Sequence, residues 1–568
     1  MIALIVGGTH MPFRTAILCI TFVVAPLSLP AGEPVTIEVN AATSGKPFTS
    51  SWAFVGYDEP NYTYAPNGVK LLRELSALSP APVYVRAHNL LTSGDGKYSL
   101  KWGSTNVYTE DAAGRPVYNW TIIDKIFDTY MQTGTKPIVE IGFMPEALST
   151  KPQPYRHKFP EPGPIWTGWA YPPKDYNKWA ELVYQWARHS VERYGKAEVE
   201  SWYWEVWNEP DIGYWQGTPE EYHKLYDYAA DALKRALPTA RIGGPHSTGP
   251  VEAKAADFLR RFLDHCARGT NYATGKTGSP LDYVAFHPKG NPKVLDGRVR
   301  MGSSRQLQSI NKGFEIVASF PEFRHLPIIL GESDPEGCAA CSVRTHPQNA
   351  YRNGTLYPSY TAATFDKTWA LAERHGINLA GIVTWAFEFE DQPYFDGFRS
   401  LATNGVDKPV LNVFRMFGLM KGERIPAKSN MAVSLDGILN SGVSGAPDVG
   451  ALATRTDHAI SVLVWNYHDD DVAAPAAEIE LTVNQIPPAA ARVLVHHYGI
   501  DQEHSNAYTE WKEMGSPQKP SAEQYEELVD AGQLAMLGSP TWVSAEGQKV
   551  KLKFQLPRQG TSLVQLSW

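Results

Sequence analysis

Eight short apolar or aromatic runs recur along the chain, at residues 48–57, 82–89, 137–143, 199–207, 241–245, 281–287, 326–331 and 379–387, and segments of helical periodicity separate them. Strands that alternate with helices predict a parallel sheet, because each helix carries the chain back to begin the next strand in the same direction. In the clearest helical stretch Trp179, Leu182, Val183, Trp186, Ala187 and Val191 fall on one face. Another opens Thr218-Pro219-Glu220-Glu221, a capping box with proline at the first helical position. Eight such units predict an α/β fold, a (β/α)8 TIM barrel over residues 34–420.

The texture changes after residue 421. Strand patterns at 459–467, 477–483, 492–497, 549–556 and 562–568 predict a C-terminal antiparallel β-sandwich domain over 421–568, with the polar, partly helical stretch 502–537 as an insertion. Residues 1–33 read as a signal peptide: Arg14, an apolar run over 16–27, then Pro30-Ala31-Gly32-Glu33 as a processing region. That run is too short to span a bilayer and no later segment reaches spanning length, so the expectation is export to the periplasm or the extracellular space, with no membrane partner.

The formal net charge of -8 comes without a basic patch or a long run of like charge, which argues against nucleic acid as a partner. The 17 Trp and 28 Tyr, many of them in polar, Gly/Pro-rich stretches, suit the apolar faces of sugar rings. Of the four cysteines, Cys19 lies in the leader and Cys266 in a predicted helix. Cys338 and Cys341 are left as a lone Cys-x-x-Cys, too few ligands for zinc and better read as a local disulfide bracing a loop. No metal and no organic cofactor is expected, and no phosphate-cradling glycine loop is present.

In a barrel of this kind chemistry sits at the carboxyl ends of the strands. The fourth ends Trp204-Glu205-Val206-Trp207-Asn208-Glu209-Pro210 and the seventh Leu330-Gly331-Glu332-Ser333-Asp334. Glu209 and Glu332 would then face each other across the mouth, as cleavage of a glycosidic bond requires: one carboxyl protonates the departing oxygen while the other, ionised, attacks the anomeric carbon. A separation of ~5–5.5 Å gives a covalent intermediate and retention of configuration. Asn208 is placed to donate to the sugar 2-hydroxyl. Glu140 and Glu205 are the competing carboxylates, and Glu205, four residues behind Glu209, is expected to be a paired structural group.

The segment 204–210, with Ile141-Gly142-Phe143-Met144-Pro145-Glu146 and Tyr118-Asn119-Trp120, resembles glycoside hydrolase family 39, the β-xylosidases and α-L-iduronidases, over about residues 50–420 and more weakly beyond. Asn-Glu-Pro alone marks many barrel glycosidases, whereas the segment with Phe143 and Pro145 is more specific. The resemblance implies that Glu209 is the acid/base and Glu332 the nucleophile. It further implies that His88, Asn208, His287, Trp385 and Glu390 hold the innermost sugar, with Phe143 among the substrate-binding residues. Glu388 competes with Glu390 for that role.

Most members with these motifs act on xylosides, so the resemblance implies exo-cleavage of xylose from the non-reducing end of β-1,4-xylo-oligosaccharides. His287-Pro288-Lys289-Gly290, Glu332-Ser333-Asp334-Pro335 and Phe398-Arg399 are similar to the iduronidase branch, where a lysine and an arginine clamp a carboxylate. Lys289 and Arg399 are the matching cations, which keeps uronides open, and α-L-arabinosides differ from β-xylosides mainly in one ring hydroxyl. A non-catalytic glycan-binding protein is the alternative from another class; the presence of both Glu209 and Glu332 argues against it.

Overall fold

Strands Phe54–Tyr57, Tyr84–Ala87, Lys136–Ile141, Tyr203–Val206, Arg241–Thr248, Tyr283–His287, Pro327–Leu330 and Asn378–Thr384 pair in sequence order, and the eighth pairs the first to close a parallel barrel. The expected (β/α)8 barrel is therefore present, one strand for each of the eight sequence runs. The computed structural model of the protein describes residues 33–157, 165–166 and 168–568. The leader read as a signal peptide lies outside the described residues except for Glu33.

The barrel strands are buried almost end to end, as parallel strands covered on both faces must be. Helix Tyr176–Tyr194 starts where the Asp175 side chain accepts from the N–H groups of Asn177 and Lys178, and it buries Trp179, Leu182, Val183, Trp186 and Ala187. Helix Pro219–Ala236 carries the anticipated capping box, with Thr218 and Glu221 each bonding the other's backbone.

Beyond the barrel lie two sheets. The larger runs Lys46–Pro47, Glu423–Ile425, Asp448–Arg455, Ala459–Tyr467, Thr561–Ser567, Arg492–Ile500 and Ala535–Met536, with Thr541–Ser544 also on Arg492–Ile500. The smaller runs Ala427–Ser429, Val35–Asn40, Ala477–Asn484 and Lys549–Leu556.

One expectation needs correction here. Residues 35–47 supply strands to these sheets and not to the barrel, although the barrel domain was expected to begin at residue 34. Val35–Asn40 alternates buried and exposed, so Val35, Ile37 and Val39 face the second core with Val462, Ile479 and Leu481. It lies parallel to Ala477–Asn484, with Ile37 opposite Leu481, whereas the strands of the C-terminal segment pair antiparallel with one another, as expected. A strand from the start of the chain arrives in whichever direction its long connection allows, whereas hairpin neighbours must be antiparallel.

The 502–537 stretch forms helices Ala507–Glu513 and Ala522–Ala531. They close a small core in which Ala507 and Leu528 pack on Phe395 and Val406, from the loop after the eighth barrel strand. The insertion thus buttresses a loop at the mouth of the barrel.

If the leading strand is integral, Ile37→Ala should lower unfolding stability by about 2–5 kcal/mol, whereas Glu38→Ala on the exposed face should stay within about 0.5 kcal/mol. Urea denaturation checks the pair, and equal small shifts would show that this strand does not hold the sandwich.

Candidate active site

Arg86, in the second barrel strand, is fully buried, and the mouth is organised around it. Its Nε donates to Glu205 Oε1 at 2.7 Å, Nη2 to Glu140 Oε2 and Asn208 Oδ1 at 3.1 Å each, and Nη1 to Glu332 Oε1 at 3.1 Å. Three carboxylates from the third, fourth and seventh strands converge on one guanidinium, so further positive charge is required. His88 supplies some, its Nδ1 2.6 Å from Glu140 and its Nε2 3.3 Å from Glu332. His246 Nε2 lies 2.6 Å from Glu205, and the Lys289 ammonium pairs with Glu332 Oε2.

These contacts fix the protonation states. Burial opposes ionisation of Glu205, but Arg86 and His246 outweigh it and hold its carboxyl at about 2. Burial also opposes charge on His88, yet Glu140 beside it pushes the imidazole up to about 9. Glu205 is thus the paired structural carboxylate expected of it.

The fourth strand ends with two residues in the left-handed region, Trp207 at φ 73° and Glu209 at φ 43°. Neither position suits a bulky side chain, and the turn they force swings Asn208 and Glu209 into the mouth. Glu209 is anchored there by its N–H donating to His246 O at 2.9 Å and by His287 Nδ1 at 3.0 Å from its carboxylate. One carboxylate oxygen each of Glu209 and Glu332, with a His287 ring nitrogen, all lie within 4.8 Å of one another.

The two glutamates share this space in different states. Burial, then the negative charge of Glu332, raises the Glu209 carboxyl above its usual range. Glu332 is also buried, but the Lys289 ammonium and the His88 imidazolium hold it well below that range. His287 is itself pushed well down by burial and is neutral. The same three atoms would be the place for a cation among the described residues. Arg86 and Lys289 already occupy both oxygens of Glu332, so a metal ion would meet two resident positive charges.

A cavity of about 300 Å³ opens over this pair, and His88, Asn208, Glu209, His287, Glu332 and Trp385 line it, together with Lys289. Asn208 gives its amide oxygen to Arg86, which leaves its NH2 as the group to offer a ligand. Trp385 lies with its ring centre 4.3 Å from that of His88 and 5.0 Å from the Arg86 guanidinium carbon. Its backbone N–H is held by Asp334. Only glycine fits at position 56 beneath it, since a Cβ there would sit 2.3 Å from the indole.

Three expected sugar contacts fall elsewhere. Phe143 stands behind the cavity, stacked on Tyr214, which does line it. Both oxygens of Glu390 accept from Asn67, at 2.9 Å each, so it caps the helix Pro66–Ser76 and does not reach the sugar site. Glu388 accepts from Gly405 N at 2.6 Å and is likewise outside the cavity. Arg399 is fully buried and donates to the carbonyls of Trp385 and Glu336, with Asp334 at 3.7 Å. It braces the loops of the seventh and eighth strands and is not a cation of the pocket. Strand-end position alone could not separate these side chains, because the chain turns sharply after residue 385.

Residues not singled out from the sequence also take part. Arg86 announced itself as a lone charge within the apolar run Val83-Tyr84-Val85-Arg86-Ala87. Asp58 and Lys101, which line the cavity as an ion pair, lie in loops that carry no such signal. Cys338 and Cys341 form the expected local disulfide, and Cys338 reaches the cavity rim.

The model of Glycosyl hydrolases family 39 matches residues 35–548. The β-xylosidase of Geobacillus stearothermophilus is 27% identical over 467 residues, covering 79% of this chain and 79% of that protein. The α-L-iduronidase of Homo sapiens is 26% identical over 555 residues, covering 91% of this chain and 76% of that protein. A monomeric β-xylosidase from Caulobacter crescentus has the same fold, with a TM-score of 0.73 at 20% identity over 94% of this chain and 99% of its own.

Because Arg86 holds three buried carboxylates, Arg86→Met should cost about 3–5 kcal/mol of stability. Thermal melts at neutral pH would read this as a large drop in Tm, and an unchanged Tm would show that the carboxylates do not depend on the guanidinium.

Proposed function

The chain belongs to glycosyl hydrolases family 39, and from that membership we propose that it is a retaining exo-hydrolase releasing xylose from the non-reducing end of β-1,4-xylo-oligosaccharides. The observation that carries the retaining step is the pair Glu209 and Glu332, with carboxylate oxygens within 4.8 Å and acidities driven in opposite directions. Such a spacing leaves no room for a water between carboxylate and sugar, so the ionised partner attacks directly.

Glu332, kept ionised, attacks the anomeric carbon, and Glu209, kept protonated, passes its proton to the departing glycosidic oxygen. Esterification then removes the negative charge of Glu332. One of the causes that raised the Glu209 carboxyl disappears with it, so Glu209 becomes the carboxylate that takes a proton from the incoming water. The NH2 of Asn208 is left to the sugar 2-hydroxyl, a contact that strengthens in the transition state. The Trp385 ring provides an apolar face for the sugar.

The xyloside reading is supported by the curated β-xylosidase relatives. One observation favours a second reading, an α-L-iduronide or related uronide: Lys289 lines the cavity, and α-L-iduronidases are among the relatives. We also propose export from the cytoplasm, since the Cys338–Cys341 bridge suits an oxidising compartment.

Glu332→Ala is expected to leave no turnover above background. Glu209→Ala should lose roughly 10²–10⁴-fold on substrates whose leaving group needs a proton, while sparing aryl glycosides with good leaving groups; full loss on both types would sink the Glu209 assignment. Activity requires Glu209 protonated and Glu332 ionised. Wild-type kcat/KM should therefore persist into acid and fall as pH rises through the raised Glu209 pKa, and a profile lacking that alkaline limb would contradict the assignment.

Initial rates on matched aryl glycosides of β-D-xylose, α-L-arabinose, β-D-glucuronic acid and α-L-iduronic acid test the sugar. The xyloside should be fastest. A faster uronide, with Lys289→Met cutting the uronide far more than the xyloside, would establish the second reading, and silence on all four would return the chain to glycan binding without turnover.

A further inference from the structure

We propose that Asp58 and Lys101 form the end wall of the sugar pocket and read the 4-hydroxyl of the terminal residue, closing the site to chains that extend beyond it. This rests on the catalytic reading of Glu209 and Glu332. Both side chains are buried and line the same cavity as the two glutamates, yet neither touches Arg86, and the pair meets the charge cluster only where Asp58 approaches His88.

The wall is built and not incidental. Lys101 sits in the left-handed region, at φ 63°, within the long loop after the second barrel strand. Its N–H donates to Glu59 Oε1 at 2.6 Å. Three residues on, Ser104 N donates to Asn61 Oδ1 at 2.9 Å, and Asn61 Nδ2 returns a bond to Ser104 O at 2.9 Å. Gly103 allows the loop to press this close, since a Cβ there would meet Pro60 Cδ at 2.1 Å. The loop is thereby pinned along residues 59–61, and the ammonium is delivered to the Asp58 carboxylate.

The pair retains capacity that a purely structural ion pair would have used. An ammonium has three donors, and among the described residues the Lys101 ammonium donates only to Asp58. The other Asp58 oxygen has His88 Nε2 at 3.5 Å, beyond a good hydrogen bond. A buried pair left in this state costs desolvation that only further hydrogen bonds can offset, and the open side of this one is the cavity.

The position fixes which hydroxyl is met. His88 Nε2 lies 3.3 Å from Glu332 and 3.5 Å from Asp58, so the two carboxylates flank one ring nitrogen and Asp58 is the next acidic group along the pocket from the nucleophile. With the anomeric carbon at Glu332, the glycosidic oxygen at Glu209 and the 2-hydroxyl at Asn208, the ring carbons remote from the scissile bond point at that wall. An acceptor and a cationic donor side by side suit a hydroxyl that both donates and accepts.

The test compares the aryl glycoside the protein turns over fastest with its 4-deoxy and 4-O-methyl analogues. On the wild type the 4-deoxy analogue should lose roughly 10- to 150-fold in kcat/KM, the effect of removing a hydrogen bond to a charged group, and the 4-O-methyl analogue should not be turned over. In Asp58→Asn the parent should slow while the 4-deoxy analogue changes little, so that their ratio moves toward one. Equal turnover of parent and 4-deoxy analogue by the wild type would overturn the proposal without any variant having to fold, as would an Asp58→Asn that slows both by the same factor. Absence of turnover on every glycoside would instead overturn the catalytic reading, and this wall with it.

Discussion

A single guanidinium, that of Arg86, holds three carboxylates out of water at the base of the barrel mouth, and the state of every other ionisable group there follows from how their charge is met. One cation cannot offset three anions in a medium of low dielectric, so the charges of His88 and Lys289 are drawn to the remaining oxygens, while His246, its imidazole pushed down by burial, lies against Glu205. Glu332 takes most of this surplus positive charge and stays ionised. Glu209 receives a neutral histidine instead, and burial together with the charge of Glu332 pushes its carboxyl up. Two chemically identical side chains are thus driven to opposite acidities by their neighbours alone.

That arrangement needs rigid support, because a carboxylate displaced by an ångström would lose either its partner or its target. The second strand gives Arg86 and His88 on one face, and the cross-strand register sets Glu140 beside Glu205. Trp385 closes the eighth-strand side, resting over Gly56 and held by Asp334, while Arg399 ties Trp385 to the loop that carries Glu336. Farther out, the helices inserted in the sandwich pack on Phe395 and Val406, so the accessory sheets contribute to the shape of the mouth without lending it a reacting group.

Much of this was legible in the chain itself. All eight barrel strands show as apolar runs because a parallel sheet is buried on both faces, and Glu209 and Glu332, the proposed reacting carboxylates, fall where such runs end. The residues that sequence misplaced share a physical cause. Glu390 and Arg399 follow the last strand, where the path of a turning loop and not periodicity decides direction, so a charge near the mouth could equally cap a helix, as Glu390 does through Asn67, or brace a loop, as Arg399 does. Phe143 is at the strand end as expected but one layer back, behind Tyr214. Val35–Asn40 alternates cleanly, but alternation says which face is buried and not against which sheet.

Lys289 joins the electrostatics to the choice of sugar. Its ammonium is what most lowers the Glu332 carboxyl, against the burial that raises it, so it keeps the proposed nucleophile ionised whatever sugar is bound. A neutral pentose leaves that pairing intact, and Glu332 remains strongly acidic and correspondingly weakly basic. A sugar carboxylate beside Lys289 would share the ammonium, weaken its hold on Glu332 and make that oxygen a better nucleophile, at the expense of bringing a second anion into a buried site. The same lysine therefore imposes opposite demands in the two cases: with xylosides it tempers the nucleophile, and with uronides it is divided between nucleophile and substrate. Because β-D-xylosides and α-L-iduronides agree in configuration from the first to the fourth ring carbon, no rearrangement of Glu209, Glu332 or Asn208 separates them, and the balance of charge around this one ammonium is the term that differs.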